Sequence, residues 1–286
     1  MPGDIPVDMP ARRRTGVLLV GHGTRSERGI DEFRQIAGQV ARLAAPLIVE
    51  HSFLEMCQPT IQGGLGRLVE RGVENVVVAP LLLFAAGHAK RDIPQAVADA
   101  LAALGAADRV TSVIAAHLGC HDSILELSRL RFTESLRSRD AVPPGKTCLL
   151  FVGRGSPDES ATAEMHEFAR LREKLTPVAE THVAFLAMAQ PAVGDILPRL
   201  AAGNWRRIVV QPHLLLHGEL YEGLLAQVAN MDRGQCVREW VVTSYLAGSS
   251  ALDSSGEELI SRAVQARVST AGHGARIRVV APFSGR

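Results

Sequence analysis

The sequence predicts an α/β protein made of two similar doubly wound parallel-sheet domains. They are related by an internal duplication, with a cleft between them. Three observations carry that expectation. The chain has 286 residues, the length of two domains at about 100–200 residues each. Blocks of sequence recur at a fixed offset of 132 residues. Short runs rich in Val, Leu and Ile alternate with longer mixed stretches, the pattern of strands joined by helical crossovers.

The repeat is read directly from the residues. Val17-Leu-Leu-Val-Gly-His-Gly-Thr24 aligns with Leu149-Leu-Phe-Val-Gly-Arg-Gly-Ser156. Phe53-Leu-Glu-Met-Cys-Gln-Pro59 aligns with Phe185-Leu-Ala-Met-Ala-Gln-Pro191. Arg67-Leu68 falls on Arg199-Leu200, and Val76-Val-Val-Ala-Pro-Leu-Leu-Leu83 on Ile208-Val-Val-Gln-Pro-His-Leu-Leu215. One offset without gaps serves all four blocks. The seam is expected near Asp140 to Lys146, where Pro143-Pro144-Gly145 breaks any helix. The expected domains are residues 15–141 and 146–286.

Within the first half the elements follow in order. Gly16–Val20 is a short apolar strand. Ser26 to Leu43 reads as a helix with Ser26 as its N-cap. Pro46–Leu54 is a strand, Pro59–Arg71 a helix and Asn75–Leu83 a strand. Ala89–Leu104 is a helix, Arg109–Ala116 a strand and His121–Ser138 a helix. The second half repeats the order. Unbroken apolar runs such as Val76–Val78 and Ile208–Val210 suit parallel strands covered on both faces.

Composition excludes several functions. The 31 Lys and Arg against 30 Asp and Glu give a net charge of +1, which lacks the basic excess of a nucleic-acid binder. Eight Phe, two Trp and two Tyr make stacking platforms scarce. The longest apolar run, Val76 to Ala86, is too short to span a membrane and carries Pro80. Arg12–Arg14 is not joined to a signal-peptide apolar segment. Four scattered Cys form no CxxC pair. The expectation is a cytoplasmic protein that binds neither membrane nor nucleic acid.

In doubly wound folds, ligands bind beyond the carboxyl ends of the strands. Those loops hold His22, Glu55 and His88, each 33 residues from the next. Two imidazoles and a carboxylate on one rim suit a divalent transition ion with coordination positions left open. The second copy departs at these places: His22 becomes Arg154, Glu55 becomes Ala187, and Glu219 takes the place of His88. One live site and one altered copy imply division of labour. A phosphatase reading of Gly-His22-Gly lacks the Arg before the His, and no GxSxG, Walker loop or GxGxxG occurs.

Val-Gly-His22-Gly-Thr-Arg, Phe-Leu-Glu55-Met-Cys-Gln-Pro and Pro-Leu-Leu-Leu-Phe-Ala-Ala-Gly-His88-Ala-Lys-Arg resemble the sirohydrochlorin chelatases of the CbiX and SirB type, which are related to ferrochelatase. Gln-Pro-His213-Leu-Leu-Leu-His217-Gly-Glu-Leu-Tyr resembles the second half of the long, two-domain form. The resemblance runs over about residues 15 to 250. It implies a lyase that inserts Co²⁺ (the first choice) or Fe²⁺ into sirohydrochlorin, toward cobalamin or sirohaem. It also implies that His22, Glu55 and His88 hold the incoming ion. The metal is then a substrate, and no tightly bound cofactor is expected. A metal or tetrapyrrole carrier without turnover is the alternative.

Insertion requires the ion to shed water stepwise, the macrocycle to bend, and two pyrrole protons to leave. An incomplete His/His/Glu set suits the first need, and an imidazole can accept a proton near working pH. The polycarboxylate substrate calls for local cations. Arg25, Lys90, Arg91 and Arg154 are the candidates, with Gly21, Gly23, Gly155 and Ser156 letting backbone N–H groups approach an anion. By the repeat logic His213 and His217 face the same rim. Fusion of two halves suggests a monomer with pseudo-twofold symmetry.

Overall fold

The computed structural model describes residues 14–84, 87–231, 239–248 and 255–273, apart from the side chains of residues 88, 89, 255 and 273. The first half runs β1 (Thr15–Gly21), α1 (Glu27–Leu43), β2 (Ile48–Phe53), α2 (Ile61–Glu70), β3 (Asn75–Pro80), α3 (Gly87–Ala103), β4 (Thr111–Ile114) and α4 (Asp122–Leu136). A single 3₁₀ turn, Pro144–Lys146, leads into the second half. That half repeats the order: β5 (Thr147–Gly153), α5 (Glu159–Glu173), β6 (Glu180–Phe185), α6 (Val193–Ala201), β7 (Arg207–Pro212), α7 (Glu219–Met231), β8 (Glu239–Val242) and α8 (Ser255–His273). Every expected element of the first half is present. β3 stops at Pro80, earlier than apolarity alone suggests, with one further ladder bond from the Leu81 N–H to the Val20 carbonyl at 2.8 Å.

Each half forms one four-stranded sheet, in the orders β2-β1-β3-β4 and β6-β5-β7-β8. All pairings are parallel. The chain therefore winds outward on both sides of β1 and of β5. Each sheet has its switch point between those strands and β3 or β7, where a crevice opens at the carboxyl rim.

Alternate residues of the central strands feed two different helical layers. Leu18, Val20, Val76 and Val78 pack with Leu65 and Leu68 of α2 and Ile93 and Val97 of α3. Val17, Leu19 and Val77 point into the other layer with Phe33 and Ile36 of α1. That inner core also contains Ile124 and Leu127 of α4, Leu149 and Phe151 of β5, and Ile260 and Val264 of α8. It is continuous between the halves, whereas the outer core of each half is separate.

The continuity comes from an exchange of last helices, which the linear order of elements does not announce. α8 packs on α1, β3 and β4 of the first half. Its Gln265 donates to the Leu43 carbonyl at 2.9 Å and its Arg267 to the Leu118 carbonyl at 2.9 Å. α4 reciprocates. Its buried Arg131 donates twice to the Leu246 carbonyl, at 3.1 and 2.9 Å. Its Ser128 takes bonds from Arg172 of α5 and Gln211 of β7. Among the described residues no helix is long and apolar enough to cross a membrane.

Candidate active site

The parallel ladder continues one step past the strands, and that step builds the site. Leu54 N–H bonds the Gly21 carbonyl at 2.8 Å, and Glu55 N–H bonds the His22 carbonyl at 3.1 Å. His22 and Glu55 thus become neighbours on adjacent strand ends. Two glycines are required by this approach. A Cβ on Gly23, which has φ +107°, would sit 2.0 Å from the Glu55 carbonyl oxygen. A Cβ on Gly21 would sit 2.6 Å from the Phe33 ring. Cys57 closes the loop pair, its Sγ donating to the Thr24 carbonyl at 3.1 Å.

His22 Nδ1 lies 3.1 Å from Glu55 Oε1. The contact lacks hydrogen-bond alignment, and Nδ1 is a buried atom with no other partner among the described residues. Two ligand atoms held at about 2.1 Å by one ion lie about 3.0 Å apart at a right angle and about 3.4 Å apart at the tetrahedral angle. The two donors therefore already stand at the edge length of a coordination polyhedron. The expected third donor, His88, is the second residue of α3, at the same rim after β3. Its side chain lies outside the described residues, and no three His, Cys, Asp or Glu side chains among the described ones form a metal-binding group.

The second half repeats the scaffold without the donors. Leu186 N–H bonds the Gly153 carbonyl at 3.0 Å, and Ala187 N–H bonds the Arg154 carbonyl at 2.9 Å. Arg154 and Ala187 thus occupy the places of His22 and Glu55, and Arg154 is exposed. Gly155 (φ +90°) approaches Ala187 as Gly23 approaches Glu55. Ser156 is committed locally, its Oγ accepting from Asp158 N–H at 3.0 Å. Arg25 and Arg91 are exposed at the first rim.

The two carboxyl rims face each other, and two contacts across them come from equivalent places. Ser26 caps α1 and Asp158, at the same offset, caps α5. Ser26 Oγ meets His217 Nδ1 at 2.7 Å, and His217 Nε2 meets Glu222 of α7 at 2.8 Å. On the other side Lys90 of α3 donates to Asp158 at 3.2 Å and to Ser160 at 2.6 Å. These two cross-rim latches were not read from the sequence. The shared offset of two capping residues was the available signal.

Two histidines expected at an open rim are placed differently. His217 has both ring nitrogens engaged, and its backbone N–H donates to Glu32 at 2.8 Å. Glu32 also accepts from Tyr245 and Arg28, so this corner is an inter-half joint. Burial and the Glu32 carboxylate raise the Tyr245 phenol well above its ordinary range. His213 is 3 % exposed. Its ring lies 4.0 Å from that of Phe168 and 5.2 Å from that of Phe84, and neither nitrogen has a partner among the described residues. Burial, with the Arg172 charge adding to it, pushes this imidazole down to about 3. The reason for its depth is register: His213 aligns with Leu81, which is 3 % exposed in the first copy. Burial likewise pushes the Cys120 thiol up to about 11 and Cys148 up to about 12, which makes both poor metal ligands.

Comparison with known proteins agrees with this layout. The CbiX family profile matches twice, over residues 16–135 and 148–265. A sirohydrochlorin cobaltochelatase of Priestia megaterium is 30% identical over 209 residues, 73% of this chain and 66% of that protein. A sirohydrochlorin ferrochelatase of Bacillus subtilis is 28% identical, over 76% of this chain and 80% of that protein. The structure of SirB from Bacillus subtilis with Fe3+ superposes with a TM-score of 0.78 at 23% identity, covering 92% of this chain and all (100%) of that one. SirB from Bacillus subtilis subspecies spizizenii in complex with cobalt gives a TM-score of 0.71 at 25% identity, covering 91% of this chain and 96% of that one. The chain belongs to the CbiX family, and it carries that family's domain twice.

Proposed function

We propose that this protein is a sirohydrochlorin chelatase, a lyase that inserts a divalent metal, Co²⁺ or Fe²⁺, into sirohydrochlorin. The observation that carries the reading is the His22–Glu55 pair: two donors at ligand-edge distance, one nitrogen buried with no hydrogen-bond partner among the described residues, on the rim of the intact copy. The names of the relatives, one a cobaltochelatase and one a ferrochelatase, support the reaction and leave both metals in play.

In this reading His22 and Glu55, with His88 at the start of α3, hold the arriving ion. A set of protein donors that leaves positions open lets the ion exchange its remaining waters for pyrrole nitrogens. The Glu55 carboxylate offsets part of the ion's charge. Once the ion has moved on, the freed imidazole nitrogens can take the pyrrole protons. Metal binding and proton acceptance at one nitrogen are therefore sequential. Arg25, Arg91 and Arg154, exposed on the two rims, supply cations for the substrate's carboxylates, and Lys90 joins them when it leaves Asp158. Backbone at Gly21, Gly23, Gly155 and Ser156 shapes the rim between these cations. His213 and His217 act in this reading as packing and joining residues. We assign one chain as the working unit, because the exchanged helices already pair the two halves.

The test is metallation of sirohydrochlorin by the purified full chain under anaerobic conditions, followed by its visible-band change. Acceleration over the protein-free rate with Co²⁺ or Fe²⁺ is expected. Tight binding of either substrate without acceleration would establish a carrier instead.

A further inference from the structure

Large side chains at left-handed backbone are rare, because Cβ crowds the neighbouring carbonyl. Among the described residues only two non-glycine positions have positive φ: Met56 at 62° and Met188 at 57°. They are equivalent in the two copies, and each directly follows a site position, Glu55 or Ala187. Both are also among the four large hydrophobic side chains that are exposed among the described residues, at 57 % and 58 %. A side chain left more than half exposed, at a place where glycine is conformationally preferred, gains little for folding. Both copies nevertheless keep Met, although the donors beside them diverged.

Their place says what they serve. Cys57 N–H bonds the Glu55 carbonyl at 2.7 Å, a three-residue turn that puts Met56 at its apex. A Cβ on Gly23 would lie 3.6 Å from Met56 Cβ, so Met56 stands against the His22–Gly23 loop. Met188 has the corresponding position on the opposing rim, and the Ser26–His217 and Lys90–Asp158 contacts show that the two rims face one cleft. A flat macrocycle needs apolar contact, yet the chain has few aromatics. A thioether side chain is flexible and polarizable and adapts to a π-face at about 5 Å.

We infer that Met56 and Met188 are the apolar contacts for the tetrapyrrole, one from each half, with Met56 setting the macrocycle over the His22–Glu55 pair. The inference rests on the chelatase reading and assigns residues that reading leaves open.

The test measures sirohydrochlorin binding and steady-state metallation for the full chain and its variants. Met56→Gln should raise Kd and KM for sirohydrochlorin about tenfold, with the affinity for Co²⁺ alone unchanged. Met56→Leu should restore binding to within about twofold. Met56→Gly should lose binding like Met56→Gln while its Tm is equal to or above that of the parent, since strain is relieved. Met188→Gln should raise Kd in the same direction. If the parent binds and metallates sirohydrochlorin and Met56→Gln does so equally well, the inference is wrong while the chelatase reading stands. If the parent neither binds nor metallates it, the reading fails and takes this inference with it.

Discussion

At the scale of the residue, the site depends on donors that are few and on glycines that cannot be replaced. His22→Ala and Glu55→Gln remove ligands from a set already incomplete, so kcat/KM for metallation should fall by about 10²-fold or more. Circular dichroism and Tm should stay near the parent's, because both side chains are partly exposed. Gly23→Ala acts through the backbone. Its Cβ meets a carbonyl oxygen at 2.0 Å at a φ of +107°, so a loss of about 1–3 kcal/mol in stability, together with activity, is expected. Chemical denaturation checks the first part. His213 yields a pH prediction. Its imidazole is pushed from 6.5 down to about 3, so the unfolded chain protonates first. Its contribution is complete above about pH 6.5 and is lost as pH falls toward 3. His213→Leu should therefore lose less Tm between pH 7 and pH 5 than the parent. Equal losses would show that His213 does not titrate as placed.

The Ser26 cap, the alternation of strands and helices along the chain and the two glycine-rich rims were legible in the sequence, because capping and alternation are local signals. The depth of His213 was legible too, in its alignment with buried Leu81, but a polar residue at a strand end reads more readily as a site. The convergence of His22 with Glu55 followed from equal spacing on parallel strands. The role of His217 did not, since its partners Ser26 and Glu32 lie nearly two hundred residues away. Met56 and Met188 looked unremarkable because φ is not written in a side chain.

At the scale of the element, the loops and helix starts on the rims act against each other. The cavity beside Lys90, lined also by Pro80, Leu82, Pro94 and His117, is about 250 Å³. His22, Glu55 and Arg154 do not line it, so it flanks the rim beside Lys90 and is not the tetrapyrrole site. The Lys90–Asp158 pair, with side chains 48% and 23% exposed, is the weaker latch, because water and salt screen an exposed ion pair. Asp158→Asn keeps the α5 cap, since Asn caps as well as Asp, and removes the charge that holds Lys90, leaving its bond to the Ser160 hydroxyl for a substrate carboxylate to displace. It should lower KM for sirohydrochlorin by a fewfold with little change in Tm. An unchanged or higher KM would show that the latch does not compete with substrate.

At the scale of the whole molecule, exchange of α4 and α8 makes the halves interdependent. Which sheet a helix docks on is a long-range property that local periodicity does not encode. Arg131 illustrates the cost: it is 1 % exposed, and its partner carbonyl on Leu246 belongs to the other half. A chain ending at residue 141 keeps its own α4 and lacks α8, so its inner layer has no cover. It should not exist as a folded monomer, and should be either unfolded or dimerised through α4. Light scattering with far-UV circular dichroism distinguishes these, and a stable folded monomer would contradict the exchange.

The central claim is that one live site, in the first half, inserts metal into a tetrapyrrole held by both halves. Single-turnover metallation at saturating sirohydrochlorin and Co²⁺ tests it most directly in three proteins: the parent, His22→Ala and Arg154→Ala. His22→Ala should fall to the protein-free rate, and Arg154→Ala should run near the parent's once its weaker binding is saturated. A parent-like rate in His22→Ala would contradict that claim.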